Sequence, residues 1–447
     1  MLMSDVAAPS PSVATSSVAT ATARVVAAVG SANPDGSATF AAATTSPANA
    51  AAHALPHTRS TQLLLNVGHA IDHMMLLIFA TAVGAIAIDF GFARWEDLMP
   101  YSVGAFFMFG LGSIAAGRLG DNWGRRQMMV VFFVGIGAAA ILVAFAQSAW
   151  QLAAALTVLG VFSSIYHPVG IPMLVQTAKN PGLTIGINGL AGNLGIAVAA
   201  ITTGLLVKAI GWRAAFIVPG ILSIACGIWF SFVVPHELAP PSKRAPKKTI
   251  ATRSSIARLI AVMTLAAISA SFVFNLTTNG NAQLLQERFR GIVEDPATLG
   301  ALLAGIYTIA AFAQVIVGKL IDHFPIKRIY LAVVLLQIPL FALAANAQGW
   351  TLWVLQLMFM AVTFGAIPFT DAMIVRYVDD RMRSRVSGMR IAISFGISSI
   401  AVWLLGPVVK AAGFSAVMIT LSVIATLTVV FVLLLPAEER DTAVRPG

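Results

Sequence analysis

The stretch from Gly117 to Arg126 reads Gly-Arg-Leu-Gly-Asp-Asn-Trp-Gly-Arg-Arg and joins two long apolar segments. A degraded copy at 318–328, 201 residues later, keeps the Gly-x-x-x-Asp spacing and a closing pair of basic residues. This recurrence indicates a duplicated chain. Because isolated charges beside hydrocarbon are costly, a charged turn in each half favours a mechanical part that both halves share. Two ordinary cytoplasmic anchors remain the alternative.

Composition places the chain in a membrane. Apolar residues make up 58% of the sequence and charged residues 10%, with a mean hydropathy of +0.85. This leaves too little polar surface for a large soluble globule. The net charge of +10 lies in short loops between apolar runs rather than in a nucleic-acid patch. Cys226, the single cysteine, excludes an internal disulfide framework.

Twelve apolar runs are long enough to cross a hydrocarbon core of about 30 Å as helices. We therefore predict an all-α membrane protein with twelve transmembrane helices in two pseudosymmetric six-helix halves. The runs lie near 61–88, 97–119, 126–147, 150–178, 182–209, 212–234, 255–286, 296–321, 326–346, 350–377, 383–411 and 413–435.

The same pattern predicts the domain organisation. The two halves span 59–234 and 255–436, and a basic cytoplasmic hinge at 235–254 joins them. Residues 1–58 are rich in Ala, Ser, Thr and Pro and are predicted to form a disordered cytoplasmic tail, and 437–447 form a C-terminal tail. With both ends inside, 22 of the 28 Lys and Arg residues, including five near 376–390, fall on the cytoplasmic side. The positive-inside rule then predicts a multi-pass protein of the bacterial inner membrane with cytoplasmic termini.

Helix 1 carries three ionisable residues within its apolar run. His69 and His73 are one helical turn apart, and Asp72 lies three residues after His69, so the three share one side of the helix. His167 lies near the middle of helix 4, beside Pro168, which can kink that helix. Histidine titrates near neutrality, so we predict Asp72 as proton acceptor with the three histidines as relay groups or substrate ligands. A purely structural bond between helices 1 and 4 is the alternative.

Two histidines and an aspartate are also transition-metal ligands. Adjacent Asp72 and His73 point about 100° apart on a helix, which argues against one ion bound by both. We expect no metal and no cofactor.

The second half offers mainly amide and hydroxyl groups inside its helices. With Tyr166 of helix 4, these are the predicted substrate-path residues: Asn275, Thr278, Asn279, Gln314 and Asp371. Asp371 could instead cap a cytoplasmic helix end near Arg376. Helix 5 repeats glycine every three or four residues from Gly182 to Gly195, which predicts close packing against another helix.

Twelve helices in two sixes, a basic hinge and the Gly-x-x-x-Asp-x-x-Gly-Arg-Arg turn resemble the major facilitator superfamily over about residues 60–436. In that family the turn after helix 2 is a gating element, which implies a gating role for Gly117, Asp121, Gly124, Arg125 and Arg126, and for Asp322, Lys327 and Arg328 in the second copy. Asp121 lies at a helix C-terminus, where the dipole disfavours negative charge, and its predicted partner is the start of helix 11 near Arg383 and Arg385. Asp322 against the start of helix 5 is the predicted weaker mate.

Two short stretches add a narrower resemblance. Gly68-His69-Ala70-Ile71-Asp72-His73 and Ile165-Tyr166-His167-Pro168-Val169-Gly170 are similar to the fosmidomycin-resistance type of drug exporter. In contrast, Leu156 stands where superfamily antiporters often carry Arg, four residues before Gly160.

The resemblance implies a secondary transporter, not an enzyme, that works by alternating access, with proton-coupled export of a small organic compound as the expected activity. Proton-coupled uptake of an organic acid or similar metabolite is the main alternative, and a membrane receptor or embedded enzyme is a remote one. The expected partners are a small-molecule substrate, protons and the lipid bilayer, with no nucleic acid, and the chain is expected to act as a monomer.

Overall fold

The computed structural model describes residues 59–176, 178–237, 241, 253–378 and 380–435. Within these ranges the regular structure is helical, without strands. The predicted N-terminal tail, most of the predicted hinge and the predicted C-terminal tail lie outside the described residues.

Eleven helical stretches among the described residues are long and apolar enough to cross a membrane. The last of them, Asp380–Leu433, has 54 residues. As one continuous helix it would be about 81 Å long, far more than a bilayer of about 40–45 Å. It is interrupted at Gly413, whose φ of 72° is not helical, so it comprises two helices. The predicted all-helical fold with twelve spans is confirmed.

The helices are numbered here in chain order. They are α1 (Arg59–Asp89), α2 (Trp95–Asn122), α3 (Arg125–Ala144), α4 (Ala149–Val175), α5 (Pro181–Ala209), α6 (Trp212–Val233), α7 (Arg253–Arg288), α8 (Pro296–His323), α9 (Ile326–Ala344), α10 (Gly349–Val375), α11 (380–412) and α12 (414–433).

The duplication is visible in the backbone as well as in the sequence. Gly211 ends the connection between α5 and α6 with a φ of 114°, and Gly413, its counterpart 202 residues on, divides α11 from α12 with a φ of 72°. Both values lie in the region that favours glycine. The two halves therefore turn with the same residue at the same point of the repeat.

Small residues bring the two halves into direct backbone contact. A side chain added at Gly117 of α2 would place its Cβ 2.5 Å from the carbonyl oxygen of Ser384 on α11. A Cβ at Gly186 of α5 would lie 2.6 Å from the carbonyl oxygen of Gln314 on α8. The pairs α2/α11 and α5/α8 are thus related by the repeat, and both bring the backbones of the two halves close together.

The glycine face of α5 serves two neighbours. Gly182 and Gly186 meet α8 of the other half, whereas Gly192 and Gly195 meet α1 of the same half. A Cβ at Gly192 would lie 2.8 Å from Cε1 of the His69 ring. The absence of a side chain at Gly192 therefore makes room for a predicted site residue.

Apolar side chains cover both the interior and the outer surface of the bundle. Phe133 and Phe230 pack inside the first half, 5.5 Å apart between ring centroids. On the outside, side chains such as Ile88 and Phe232 are 80% and 83% exposed. An exposed apolar surface of this kind is what hydrocarbon solvates. The two ends of the bundle are called here the Asp121 end and the Asp97 end, after residues at the two ends of α2.

Candidate functional site

The predicted polar cluster of the first half forms around α1 and α4. His69, Asp72 and His73 lie on one side of α1 and are buried. α4 is broken into Ala149–Ser163 and Tyr166–Val175, and the break places Tyr166 and His167 next to α1. Pro168, which lacks an N–H group, stands at the start of the second piece and is compatible with this interruption.

His167 is the centre of the cluster. Its Nε2 lies 3.4 Å from Nε2 of His73 and 3.7 Å from Oδ2 of Asp72. Asp72 and His73 diverge by about 100° on α1, yet both approach His167 because it comes from another helix. The three histidines have ligand atoms within 4.8 Å of one another, and Asp72 is not part of that group, so the prediction that Asp72 and His73 do not bind one ion together stays a prediction.

His69 is fixed by the surrounding helices. Its Nδ1 donates to the carbonyl oxygen of Asn188 on α5 at 2.7 Å, and its ring stacks on Tyr166 at 4.7 Å between centroids. The Asn188 amide in turn donates to the hydroxyl of Tyr166 at 2.8 Å, and that hydroxyl donates to the carbonyl of Leu65 at 2.7 Å. These bonds hold one ring orientation of His69 through three helices.

A small cavity of about 70 Å³ separates this cluster from the second half. His73 and His167 line it from one side, and α7, α10 and α11 line it from the other. The second-half residues that line it include Ser271, Phe274, Asp371 and Arg390. Sites for drug-sized ligands occupy roughly 300–1,000 Å³, so this cavity must widen before an organic substrate of that size can enter.

Asp371 and Arg390 form a buried ion pair beside the cavity. Arg390 donates to the Asp371 carboxylate at 2.6 Å and to the Thr370 hydroxyl at 2.5 Å. Arg390, predicted from the charge pattern to be one of the cytoplasmic basic residues, lies instead in α11 at the cavity. The sequence feature that could have identified Arg390 as a site residue is its position within the apolar run 383–411, because an ionisable residue inside a spanning helix is a functional candidate. The side chain of Arg376, the other partner considered for Asp371, is outside the described part of the structure.

The remaining predicted substrate-path residues lie in helix contacts around the cavity. Asn275 donates to Ser398 of α11 at 3.0 Å, and Asn279 donates to the carbonyl of Asn275 at 3.0 Å. Thr278 donates to the Phe274 carbonyl at 2.6 Å. Gln314 is buried against Gly189 between α8 and α5.

The predicted gating residues of the first half contact the second half at the Asp121 end. Asp121 is buried at the end of α2, and its Oδ2 accepts a hydrogen bond from the backbone N–H of Arg385 at 3.0 Å. Its Oδ1 lies 3.4 Å from Nη2 of Arg125. The α11 partner of Asp121 is thus the backbone N–H of Arg385, near the positive end of a helix dipole. The guanidinium of Arg383, which the sequence also offered as a partner, pairs with Asp380.

Arg125 makes the widest set of contacts between the halves at this end. Its fully buried guanidinium donates to the carboxylate of Asp380 at 3.1 Å, to the Asp380 carbonyl at 2.9 Å and to the Ser384 hydroxyl at 3.0 Å. It also donates to the carbonyl of Pro172 on α4 at 3.2 Å. The contacts of Asp121 and Arg125 with residues 380–385 are called here the Asp121 latch.

The second copy of the gate is simpler and more exposed. Asp322 accepts hydrogen bonds from the backbone N–H groups of Gly182 and Leu183, at 2.9 and 2.8 Å, at the start of α5. Asp322 is exposed, whereas Asp121 is buried. The residue 201 positions after Arg125 is Ile326, so this copy has no guanidinium at the equivalent place.

Arg126 and its counterpart 201 residues later, Lys327, each contact their own half. Arg126 donates to the carbonyls of Val234 and Ser231 at the end of α6, at 2.6 and 2.5 Å. Lys327 donates in the same way to the carbonyls of Leu433 and Leu435 at the end of α12, at 2.7 and 2.6 Å. These cations satisfy helix C-termini, and Arg328, the last predicted gating residue, is exposed.

Two ion pairs join the halves at the Asp97 end. Lys410 lies 2.6 Å from Asp97, and Lys208 lies 2.9 Å from Asp295. Lys410 follows Lys208 by 202 residues and Asp295 follows Asp97 by 198, so the repeat relates the two pairs. Hydrogen bonds from Lys208 and Thr298 lower the pKa of Asp295 to about 2. A cavity of about 540 Å³, with Arg94, Glu96 and Arg290 in its wall, lies at this end.

Comparison with known proteins identifies the family. The sequence profile described as Major Facilitator Superfamily matches residues 65–292 and 291–447, which together cover most of the chain. The chain belongs to the Major Facilitator Superfamily. It is therefore a multi-pass membrane transporter rather than an enzyme, as the sequence predicted.

Relatives of this superfamily member include named exporters and resistance proteins. Multidrug resistance protein MdtG from Proteus mirabilis is 24% identical over 308 residues, which are 67% of this chain and 76% of the relative. The probable actinorhodin transporter from Streptomyces coelicolor is 31% identical over 169 residues, which are 36% of this chain and 29% of the relative.

Solved structures show the same superfamily fold. The human organic anion transporter MFSD10 matches with a TM-score of 0.67 at 15% identity, over 84% of this chain and all of that one. The proton:xylose symporter XylE matches with a TM-score of 0.65 at 12% identity, over 85% of this chain and 96% of that one.

The buried pair at the cavity generates a prediction about stability. Replacing Arg390 with Met leaves the Asp371 carboxylate without its cation, and loss of one partner of a buried pair costs about 3–5 kcal/mol. We expect Arg390→Met to lower the thermal unfolding temperature in detergent and Arg390→Met/Asp371→Asn to recover most of the loss.

Arg213→Met is the matched control, because Arg213 pairs with Asp89 at an exposed site where a pair contributes at most about 1 kcal/mol. If Arg390→Met unfolds at the wild-type temperature, or if the double variant is no more stable than the single one, the pair does not stabilise this part of the protein.

Proposed function

We propose that this transporter exports a small organic compound by alternating access and that protons drive it. The Asp121 end faces the cytoplasm of a bacterium and the Asp97 end faces outward, with both termini inside, as the distribution of Lys and Arg requires. Substrate occupies the region between the halves near mid-depth.

One observation carries the proton coupling. Asp72 is buried within 3.7 Å of His167, and His167 and His73 line the cavity between the halves. A buried carboxylate next to an imidazole inside spanning helices is the kind of group that relays protons in membrane transporters. His73 and His167 would then relay protons between that cavity and Asp72, which is itself fully buried.

The contrast between the two ends supports alternating access. The Asp121 latch is buried and closes one side, whereas the ion pairs at the other end are about half exposed and flank a cavity of about 540 Å³. Exposed pairs contribute at most about 1 kcal/mol each. The outer side can therefore open at low energetic cost while the latch keeps the cytoplasmic side shut.

The relatives support export of an organic compound. MdtG carries the name multidrug resistance protein, and a further relative, 27% identical over 187 residues, is the tetracenomycin C resistance and export protein of Streptomyces glaucescens. Uptake of an organic acid is the second candidate, because the Arg390 guanidinium lines the cavity and could bind a carboxylate.

A growth screen and a vesicle assay separate export from uptake. Strains that lack or overproduce the protein are tested against a panel of toxic compounds and carbon sources. A hit is then followed in everted membrane vesicles under an imposed pH gradient. Proton-driven export predicts accumulation inside everted vesicles when their interior is acidic, and symport predicts accumulation when the exterior is acidic.

Asp72→Asn tests the proton site. The amide keeps the size of the side chain but cannot gain and lose a proton in the relevant range, so gradient-driven flux in proteoliposomes should fall to the level of empty liposomes. Exchange of substrate across the membrane without a gradient should persist, because no substrate contact is removed.

Asp89→Asn is the matched control on the same helix, at an exposed ion pair, and should transport like the wild type. Gradient-driven flux by Asp72→Asn at the wild-type rate would refute the assignment of Asp72.

Asp121→Ala tests the latch. The change removes a charged acceptor from the α11 backbone, and such hydrogen bonds contribute roughly 1.5–3 kcal/mol. The equilibrium should shift away from the cytoplasm-closed state by about tenfold or more. We expect a lower turnover number with a substrate Kd close to that of the wild type.

Asp322→Ala, at the exposed second copy, should have the smaller effect on turnover. Equal turnover in Asp121→Ala and wild type, or a larger loss in Asp322→Ala, would contradict the assignment of the principal latch to Asp121.

A further inference from the structure

We propose that His69, His73 and His167, with Asp72 beside them, form a binding site for one divalent transition-metal ion. One ring nitrogen from each histidine lies within 4.8 Å of the others. Two of the ligands come from α1 and the third comes from the interrupted α4. The site belongs wholly to the first half, so it can persist while the halves move relative to each other.

The spacing of His73 and His167 fits tetrahedral coordination. Zn²⁺ binds imidazole nitrogen at about 2.0–2.1 Å, which places two nitrogens on adjacent corners of a tetrahedron about 3.3–3.4 Å apart. The Nε2 atoms of His73 and His167 are 3.4 Å apart. Oδ2 of Asp72 lies 3.7 Å from Nε2 of His167, but Asp72 is not one of the residues whose ligand atoms lie within 4.8 Å of one another, so a water molecule or a rotated Asp72 side chain would complete the coordination.

The hydrogen bond of His69 Nδ1 leaves its Nε2 free to bind a metal ion. A metal-ligating histidine almost always donates its other N–H to a carbonyl or carboxylate, which fixes the tautomer. Nδ1 of His69 donates to the carbonyl of Asn188 at 2.7 Å, and this leaves a lone pair on Nε2. That Nε2 atom is buried and has no hydrogen-bond partner among the described residues. An unpaired buried acceptor is costly, and a bound cation would satisfy it.

The donor set determines the class of ion. Imidazole suits Zn²⁺, Cu²⁺, Ni²⁺ and Co²⁺, whereas Mg²⁺ and Ca²⁺ prefer oxygen ligands. The Asp72 carboxylate offsets part of the positive charge that the ion brings into the membrane interior. The cavity that His73 and His167 line provides the route of entry.

The inference goes beyond the proposed function and does not depend on it. The lone pairs that hold a metal ion are the ones that would otherwise hold protons, so metal and proton compete for one site. Metal binding is measured on the purified protein without transport, and its failure would leave the proposed activity untouched.

Co²⁺ is a suitable probe because its visible absorption reports tetrahedral coordination. The full chain is purified in detergent with an affinity tag that contains no histidine and is titrated with Co²⁺, and the bound Co²⁺ is then displaced by Zn²⁺. We expect one Co²⁺ per chain, with intense tetrahedral bands that Zn²⁺ abolishes. His73→Gln and His167→Gln should each weaken Co²⁺ binding by at least about a hundredfold. Removal of a residue that only supports a metal ligand already lowers metal affinity by about 10–100-fold, and these variants remove a ligand itself.

His236→Gln/His323→Gln is the matched control, since both histidines lie outside the cluster, and it should bind Co²⁺ like the wild type. Circular dichroism establishes that each variant is folded. Zinc X-ray absorption on the wild type adds a measurement that needs no variant, with an expected shell of three imidazole nitrogens and one oxygen. Absence of tetrahedral bands, bands that persist in folded His73→Gln and His167→Gln, or a zinc shell without imidazole would overturn the site.

Discussion

The contact of Asp121 and Arg125 with the first turns of α11 is the interaction on which the closed arrangement depends. A carboxylate at the C-terminus of α2 is electrostatically disfavoured within its own half, and the buried guanidinium of Arg125 needs acceptors. The other half supplies both kinds of partner. The backbone N–H of Arg385 donates to Asp121, and the carboxylate and carbonyl oxygens of Asp380 accept from Arg125. These charges are satisfied as described only while the two halves are together.

The latch and the central cluster are connected through α4. The carbonyl of Pro172, which accepts from Arg125, lies five residues after His167 on the same piece of that helix. A change at His167 can therefore reach the latch through one short rigid element. The second half contributes the Asp371–Arg390 pair on the opposite wall of the cavity, so the cavity lies between a histidine cluster of one half and an ion pair of the other.

The sequence predicted the helices and the repeat, because apolar runs and a constant offset are local features. It also predicted that His69, Asp72 and His73 share one side of α1, since helical spacing fixes this. It could not show that His167 approaches both Asp72 and His73, or that Arg390 reaches the cavity, because these contacts depend on how separate helices cross. The sequence could not show that the α5 glycines are divided between α8 and α1, for the same reason.

Distance measurements between spin labels at both ends of the bundle test alternating access most directly. In a Cys226→Ser background, one labelled pair replaces Trp123 and Phe324 at the Asp121 end, and another replaces Ile88 and Ile292 at the Asp97 end, all exposed residues. As the pH is lowered, each pair should show two distance populations, and the population with the longer distance should increase at one end as it decreases at the other. A single unchanged distance at both ends, or simultaneous lengthening at both, would contradict the account.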